Sequence, residues 1–466
     1  MTDSVLEMLE SEKSEILNRL LELVSIPSVS TDPTYLDGMA KARELLLRRF
    51  HGIGLSNVQT LEAGGHAAVY GEWLATRDRP TILIYGHYDV QPPDPVELWN
   101  SPPFEPEIRN GRIYARGVSD DKGPLSIALE TMAAFFTVEQ TLPFNVKVLL
   151  EGEEETGSAT LEKILRNHHS LLSTDAVLSA DGARWLPGLN AVNVGSRGNA
   201  GFEFTVKTAD KDLHSGRYGG VVPNALHVLA RMVAELHDPD GSVAVPSFYQ
   251  GAREISDTER QALTDIPFNE HEFFSNTGAP SFGEPGYSAL EQLWLRPCLD
   301  VNGMWGGYTA PGGKTVIPNE AHAKLTVRIV PGQDPNLVSK AVKDFLLKQC
   351  PEGCSVRFGA DRGQSAAYEL PEGHPLLTAV EAALTDTFGS APHRIRIGGT
   401  LPMADLVRRV LGVDTVMFSF STADEDFHAP NEFFRLSSLD EGLRAWTALF
   451  RRLGEMTNAQ FFEFRR

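Results

Sequence analysis

Four apolar segments of this chain run directly into imidazole or carboxylate side chains. TILIYG leads to His87, Tyr88 and Asp89, and VKVLL to Glu151, Glu153, Glu154 and Glu155. AVLSA leads to Asp181, and VMFSFS to Asp424, Glu425, Asp426 and His428. Asp120, in GVSDDKGP just before a helix opened by Pro124, can join them. Taken singly each is ordinary: a run of glutamates is most often a solvated face, and a histidine after a strand is most often structural. In an open parallel sheet, however, ligands bind in the crevice at the carboxyl ends of the strands. Independent solvated faces would not place His and carboxylates at that edge repeatedly. The set offers imidazole and carboxylate donors without thiolate, which suits borderline or hard divalent ions such as zinc, manganese or cobalt, and it is large enough for two ions. Asp89 is placed to accept the second ring N–H of His87 and so fix its tautomer.

These residues need elements to position them. DGMAKARELLLRRFHGIG reads as a helix closed by glycine, TILIYGHYDV as a buried strand and PLSIALETMAAFF as a helix with Pro124 in its first turn. FNVKVLL is a strand, SATLEKILRNHHSLLS a helix and DAVLSADG a strand again. Strands separated by helices imply crossover connections and a mostly parallel α/β sheet flanked by helices. After Asn193 the texture changes to alternating strands (NAGFEFTVKTA, AHAKLTVRIV, CSVRFGA) with intervening helices, and near His374 the α/β pattern resumes. The expected organisation is a discontinuous larger domain, 1–196 and 370–466, with a smaller α+β domain, 197–369, inserted. A chain of 466 residues exceeds one ordinary core, which supports two domains.

Composition narrows the function. Apolar residues at 42% and charged residues at 22% are ordinary for a globular protein. A formal charge of −20 argues against nucleic-acid and anionic-membrane partners. The N-terminal segment carries charges throughout and reads as an amphipathic helix (Leu6, Leu9, Ile16, Leu20, Leu23, Val24), not a targeting segment. No stretch approaches the ~20 apolar residues needed to cross a bilayer. Cys298, Cys350 and Cys354 are sparse and unpaired in spacing, which fits a cytoplasmic location. There is no H-E-x-x-H and no G-x-S-x-G. GYTAPGGKT (307–315) has glycines at the wrong spacing for a phosphate loop, and Pro318 interrupts the helix such a loop needs.

GHYDVQP (86–92), GVSDDKGP (117–124), EGEEETGS (151–158), SADG (179–182), DLHSGRYGG (212–220) and FHAPNE (427–432) together resemble the two-metal aminoacyl hydrolases. That family includes carnosinase-like dipeptidases, carboxypeptidase G, succinyl-diaminopimelate desuccinylase and acetylornithine deacetylase. The ordered motifs cover both expected domains, and DLHSGRYGG with VRIVPGQDP is most similar to the carnosinase-like dipeptidase branch. The resemblance implies a phosphorylase/hydrolase-like catalytic domain with an inserted lid and dimerisation domain. It implies that His87 and Asp181 hold one divalent ion, Glu155 and His428 the other, and that Asp120 bridges them, zinc being the expected metal. Glu154 becomes the general base, and a cis peptide is implied between Asp120 and Asp121.

It further implies a homodimer in which His214 stabilises the oxyanion in the partner subunit's site. Arg328 binds the substrate's terminal carboxylate, assisted by Thr315, Gly399 and Thr400. Thr156 and Ala429 depart from the family pattern without removing a ligand. The expected activity is hydrolysis of dipeptides or similar small amides with a free carboxylate. Alternatives are an N-acyl amino acid deacylase or carboxypeptidase on the same scaffold and, more remotely, a non-catalytic metal-binding or interaction protein. Of the glutamate run, Glu151 and Glu153 are left as turn or supporting residues.

Overall fold

The computed structural model describes residues 3–74 and 76–464. The chain divides into two compact units, Met1–Val194 with Leu370–Ile395 and Leu406–Arg466, and Gly195–Glu369 with Arg396–Asp405.

The first unit is built on one twisted sheet. Its strands are β1 (Ser56–Leu61), β2 (Ala68–Trp73), β3 (Thr81–His87), β4 (Asn145–Glu151), β5 (Ala176–Ser179) and the late strand Thr415–Met417. The order is β1-β2-β4-β3-β5 and then Thr415–Met417. β3 lies parallel to β4 and β5, and β5 parallel to Thr415–Met417; β1 and β2 form an antiparallel edge. Both faces of the parallel strands are buried, so their sequences are apolar runs without alternation. Register does the positioning: His87 pairs with Glu151, Tyr85 with Ser179, and Ser179 with Met417. Parallel strands in this register finish together, which brings the polar residues after them to one edge.

Helices α1 (Leu36–Ile53) and α2 (Gly123–Glu139) belong to this unit, with Pro375–Phe388 and Leu436–Glu455. Pro124 occupies the first turn of α2, and Gln140 ends it in the left-handed region. Residues 123–132 of α2 are buried on every side, because Leu436–Glu455 and the N-terminal helix Ser4–Ser11 pack against it. The N-terminal stripe differs from the expected one at its start: the helix breaks at Glu12, and Val5 rather than Leu6 faces inward. No helix among the described residues is long and apolar enough to cross a membrane.

The second unit is α+β. Its main sheet contains β6 (Gly198–Lys207); the small antiparallel pair β7 (Leu213–His214) and β9 (Val316–Ile317) stands apart. With β6, the strands β8 (Cys298–Gly306), β10 (Glu320–Ile329) and β11 (Ser355–Phe358) form an antiparallel sheet in the order β8-β10-β6-β11. Helices α3 (Ala225–Ala234) and α4 (Pro335–Gln349) cover one face. Alternation along β6 and β10 sends Phe202, Phe204, Leu325 and Val327 into a core with Leu229, Met232, Val342 and Leu346. Each large apolar side chain buried there stabilises by about 1.5–3 kcal/mol.

Gly86 is a crowded point of the sheet edge. A Cβ there would lie 2.6 Å from Asp121 Oδ2, the atom that accepts the His87 backbone N–H at 3.3 Å. Gly86→Ala is therefore expected to displace Asp121 and to lower stability by about 1–3 kcal/mol. Urea unfolding checks this, and an unchanged midpoint would contradict it.

Candidate metal centre

Asp120 lies in the wide turn Val118–Lys122 that feeds α2, and the Asp120–Asp121 peptide is cis. Its carboxylate faces two imidazoles. His87 Nε2 lies 3.0 Å from Oδ1 and His428 Nε2 lies 3.1 Å from Oδ2. His428 Nε2 is also 3.2 Å from Glu155 Oε2. Donor atoms of His87, Asp120 and Asp181 lie within 4.8 Å of one another, as do those of Asp120, Glu155 and His428. All five residues expected to bind metal thus converge, in two groups that share Asp120. Asp424 and Glu425 do not join them, because both are ion-paired with Arg435.

Backbone hydrogen bonds hold this arrangement. The Asp89 carboxylate accepts the N–H groups of Glu154 (3.3 Å) and Glu155 (3.1 Å) and the Ser30 hydroxyl (2.6 Å), so it fastens the glutamate turn. The nearer acceptor for His87 Nδ1 is the Asp89 carbonyl oxygen at 3.0 Å, with the carboxylate at 3.5 Å. That refines the expected pairing: the main chain of Asp89 orients the ring, and its side chain orients the turn. Gln91 donates to Glu155 Oε2 at 2.7 Å. His428 has φ 60°, a left-handed conformation that costs a non-glycine residue about 1–3 kcal/mol and is held by the loop around it.

Glu151 and Glu153 support the turn from either side. Glu151 is buried and takes a hydrogen bond from Ser158 at 2.5 Å. Glu153 accepts the backbone N–H groups of His66 (3.0 Å) and Thr160 (3.2 Å). Glu432, at the end of FHAPNE, was not singled out by sequence. It is fully buried, pairs with Arg116 at 2.7 Å, and accepts the N–H groups of Gly117 (2.8 Å), Ser119 (2.9 Å) and Asp120 (3.2 Å). Glu425 binds the Ser119 hydroxyl beside it. The only available signal was an acid closing a motif whose histidine is already spoken for.

The electrostatics follow from burial and crowding. Burial, with Asp181, Asp120 and Glu155 nearby, pushes Glu154 up to about 9 against the attraction of His87. Burial likewise raises Asp181 to about 6 and Glu151 to about 8. Burial opposes ionisation of Asp120, but His428 and His87 outweigh it and hold Asp120 well below the usual carboxylate range. The His428 imidazole is lifted to about 10 by Asp120 and Glu155. Carboxylates concentrated this closely are what a divalent cation relieves, and the oxygen and imidazole donors match its chemistry. The residues present fit divalent cations.

In the second unit, β7 carries His214, which is exposed, and the Gly216 N–H donates to its Nδ1 at 3.0 Å. In the neutral ring this puts the proton on Nε2. Thr315 adjoins this antiparallel pair, its carbonyl accepting the Ser215 N–H at 3.1 Å. Arg328 lies on β10 and donates to Thr400 Oγ1 at 2.8 Å, with Gly399 in the same turn.

Imidazoles and carboxylates gathered around a shared aspartate have the chemistry of a divalent-metal centre. The family model described as peptidase family M20/M25/M40 matches residues 83–452, and the chain belongs to that family. It is similar to the Beta-Ala-His dipeptidase of Mus musculus, with 26% identity over 97% of this chain and 96% of the relative. It is similar also to the Cys-Gly metallodipeptidase dug1 of Schizosaccharomyces pombe, with 27% identity over 98% and 99%. Among solved structures, the M20 family metallo-carboxypeptidase Sso-CP2 of Sulfolobus solfataricus superimposes with a TM-score of 0.81 and 30% identity, covering 95% of this chain and 100% of that one. The protein is accordingly a metallopeptidase.

Removing Glu432 leaves a buried guanidinium and several N–H groups unsatisfied. Glu432→Ala should cost about 3–5 kcal/mol. Chemical unfolding measures it, and a loss below about 1 kcal/mol would show that Glu432 does not hold the Asp120 turn.

Proposed function

We propose that this metallopeptidase hydrolyses dipeptides or similar small amides that carry a free carboxylate. The observation that carries the reading is the Asp120 carboxylate shared between two ligand groups, beside a glutamate whose own carboxylate makes no hydrogen bond among the described residues. The relatives named for β-Ala-His and Cys-Gly peptides support the substrate class.

In this reading His87 and Asp181 would hold one cation and Glu155 and His428 the second, with the Asp120 carboxylate available to both. Zinc is the favoured metal and manganese or cobalt the alternatives, given donors of oxygen and nitrogen only. The bound cations would polarise the scissile carbonyl and make water acidic enough to attack at neutral pH. Glu154 takes the proton of the attacking water and passes it to the leaving amine nitrogen. Its raised pKa reflects burial and neighbouring carboxylates, and cationic charge on Asp120, Asp181 and Glu155 would return it to the ionised form required of a base. Asp89 acts by holding the Glu154–Glu155 turn.

His214, with its proton on Nε2, donates to the tetrahedral oxyanion from the partner subunit, an interaction worth about 3–4 kcal/mol. Arg328, set by Thr400 and assisted by Thr315 and Gly399, takes the substrate carboxylate. The first unit is the catalytic domain and the second the lid and dimerisation domain. Support for a homodimer comes from β8, an edge strand that exposes Val301, Met304 and Trp305. The free cysteines Cys298, Cys350 and Cys354 agree with a cytoplasmic location. A second reading, carboxypeptidase action on longer peptides, is favoured by the likeness to Sso-CP2.

Glu154→Gln should retain metal while kcat falls by about 10³-fold or more, whereas Glu155→Gln should lose metal. Metal analysis beside turnover of Cys-Gly and β-Ala-His checks both; normal turnover by Glu154→Gln would remove it as the base. Longer peptides and N-acetyl amino acids in the same metal-supplemented screen separate the dipeptidase from the carboxypeptidase and deacylase readings.

Mixing His214→Ala protein with Glu154→Gln protein should restore part of the activity through hybrid dimers. No recovery in verified hybrids would confine His214 to its own subunit or to no catalytic role.

A further inference from the structure

Arg197 immediately precedes β6 and is 8% exposed, yet every recorded partner of its guanidinium is neutral. Nε donates to the Gly398 carbonyl at 2.8 Å; Nη1 reaches the carbonyls of Gln292 and Arg296 at 3.3 Å and Cys298 Sγ at 3.4 Å. Its backbone N–H donates to the Ile397 carbonyl at 3.1 Å. Burial pulls this guanidinium below its ordinary pKa, Cys298 opposes that, and the charge of Arg328 deepens it.

Arg328 has no ion pair among the described residues either; its recorded partner is Thr400. The strand register places Cys298, Arg328 and Asn199 in one row across β8, β10 and β6, so their side chains leave the same face of the sheet. Asp300, the acid nearest that row on β8, meets the Cys298 thiol at 3.6 Å and ion-pairs with neither arginine. Asp300 acts on Arg197 only at a distance, and two mutually repelling guanidiniums without an ion pair among the described residues are what an anionic ligand would neutralise. The turn that connects them is tight. A Cβ on Gly398 would stand 3.0 Å from the Leu293 carbonyl and 3.3 Å from Arg197 Nη2, so a glycine lets the turn sit against the arginine.

We propose that Arg197 is a positioning residue that sets selectivity for carboxylate-terminated substrates. It clamps the Gly398–Thr400 turn so that Thr400 fixes the Arg328 fork, and it adds a second uncompensated positive charge beside that fork. The inference rests on the reading of Arg328 as the carboxylate-binding residue. Lysine in its place keeps the charge but cannot reach several carbonyls through one planar fork, and glutamine keeps an N–H donor without the charge.

The test is steady-state kinetics on Cys-Gly and β-Ala-His, each beside its C-terminal carboxamide, for wild type, Arg197→Lys, Arg197→Gln and Arg328→Met. Circular dichroism and thermal melting establish that each variant is folded, and either Arg197 variant alone suffices if the other is not. The expected result for both Arg197 variants is a KM about tenfold higher for the free dipeptides, with kcat within about threefold and the carboxamide KM unchanged. A preference for carboxylate over carboxamide that stays at the wild-type value in folded Arg197 variants, or an equal loss on both substrates, overturns the role of Arg197. If Arg328→Met abolishes the preference in that case, the reading of Arg328 stands without it. An unaltered preference in Arg328→Met, or no turnover of either free dipeptide by wild type, overturns the underlying reading and the inference together.

Discussion

Burying several carboxylates at the edge of an apolar sheet is costly, and the structure around Asp120 is organised against that cost. Two imidazoles face its oxygens at 3.0 and 3.1 Å, which keeps this one acid ionised while burial and crowding push Asp181, Glu154 and Glu151 upward. Like charges brought together in a poorly solvated place need cationic charge, so the site's instability as a set of bare acids and its competence for divalent ions have one origin. The parallel strands supply the rigidity, since their register ends His87 opposite Glu151 and leaves Asp181 just beyond Ser179.

The supporting shell obeys the same constraint. Glu432 and Asp89 are buried acids whose oxygens are occupied by backbone N–H groups, and each holds a turn that carries residues of the centre: Asp120 in one case, Glu154 and Glu155 in the other. Fixing a turn through its main chain leaves the side chains free to meet at the centre. In the second unit the buried charge without an ion pair among the described residues is a cation, Arg197. There Arg197 and Arg328 make no ion pair among the described residues, and the sheet beneath is held by ordinary alternation of Phe202, Phe204, Leu325 and Val327 into a helical cover.

Much of the centre was legible in the chain. Apolar runs ending in His87, Glu155, Asp181 and His428 marked strand ends, and the ordered motifs located Asp120 and the cis peptide after it. The residue types alone left open the division of labour among similar side chains, and only the family resemblance assigned it. Glu151, Glu153, Glu154 and Glu155 are chemically alike, and the turn after β4 sets Glu154 and Glu155 beside the Asp120 cluster, Glu151 against Ser158 and Glu153 on the His66 and Thr160 amides. Asp424 and Glu425 resembled ligands equally well, but Arg435 claims them. Segment 396–405 read as part of the resumed α/β pattern, yet it clusters with the second unit, where Ile397 and Gly398 meet Arg197.

The sequence by itself determined the α/β class, the order of strands and helices and the residue types available to hold metal, because hydrophobic period and turn chemistry are local properties. Only the tertiary structure decided which oxygens converge on Asp120, which acid spans from residue 432 back to the 117–120 turn, and which arginines stay unpaired. Those outcomes depend on distances between residues hundreds of positions apart, and on which of several competing partners the fold brings within reach of a charged group.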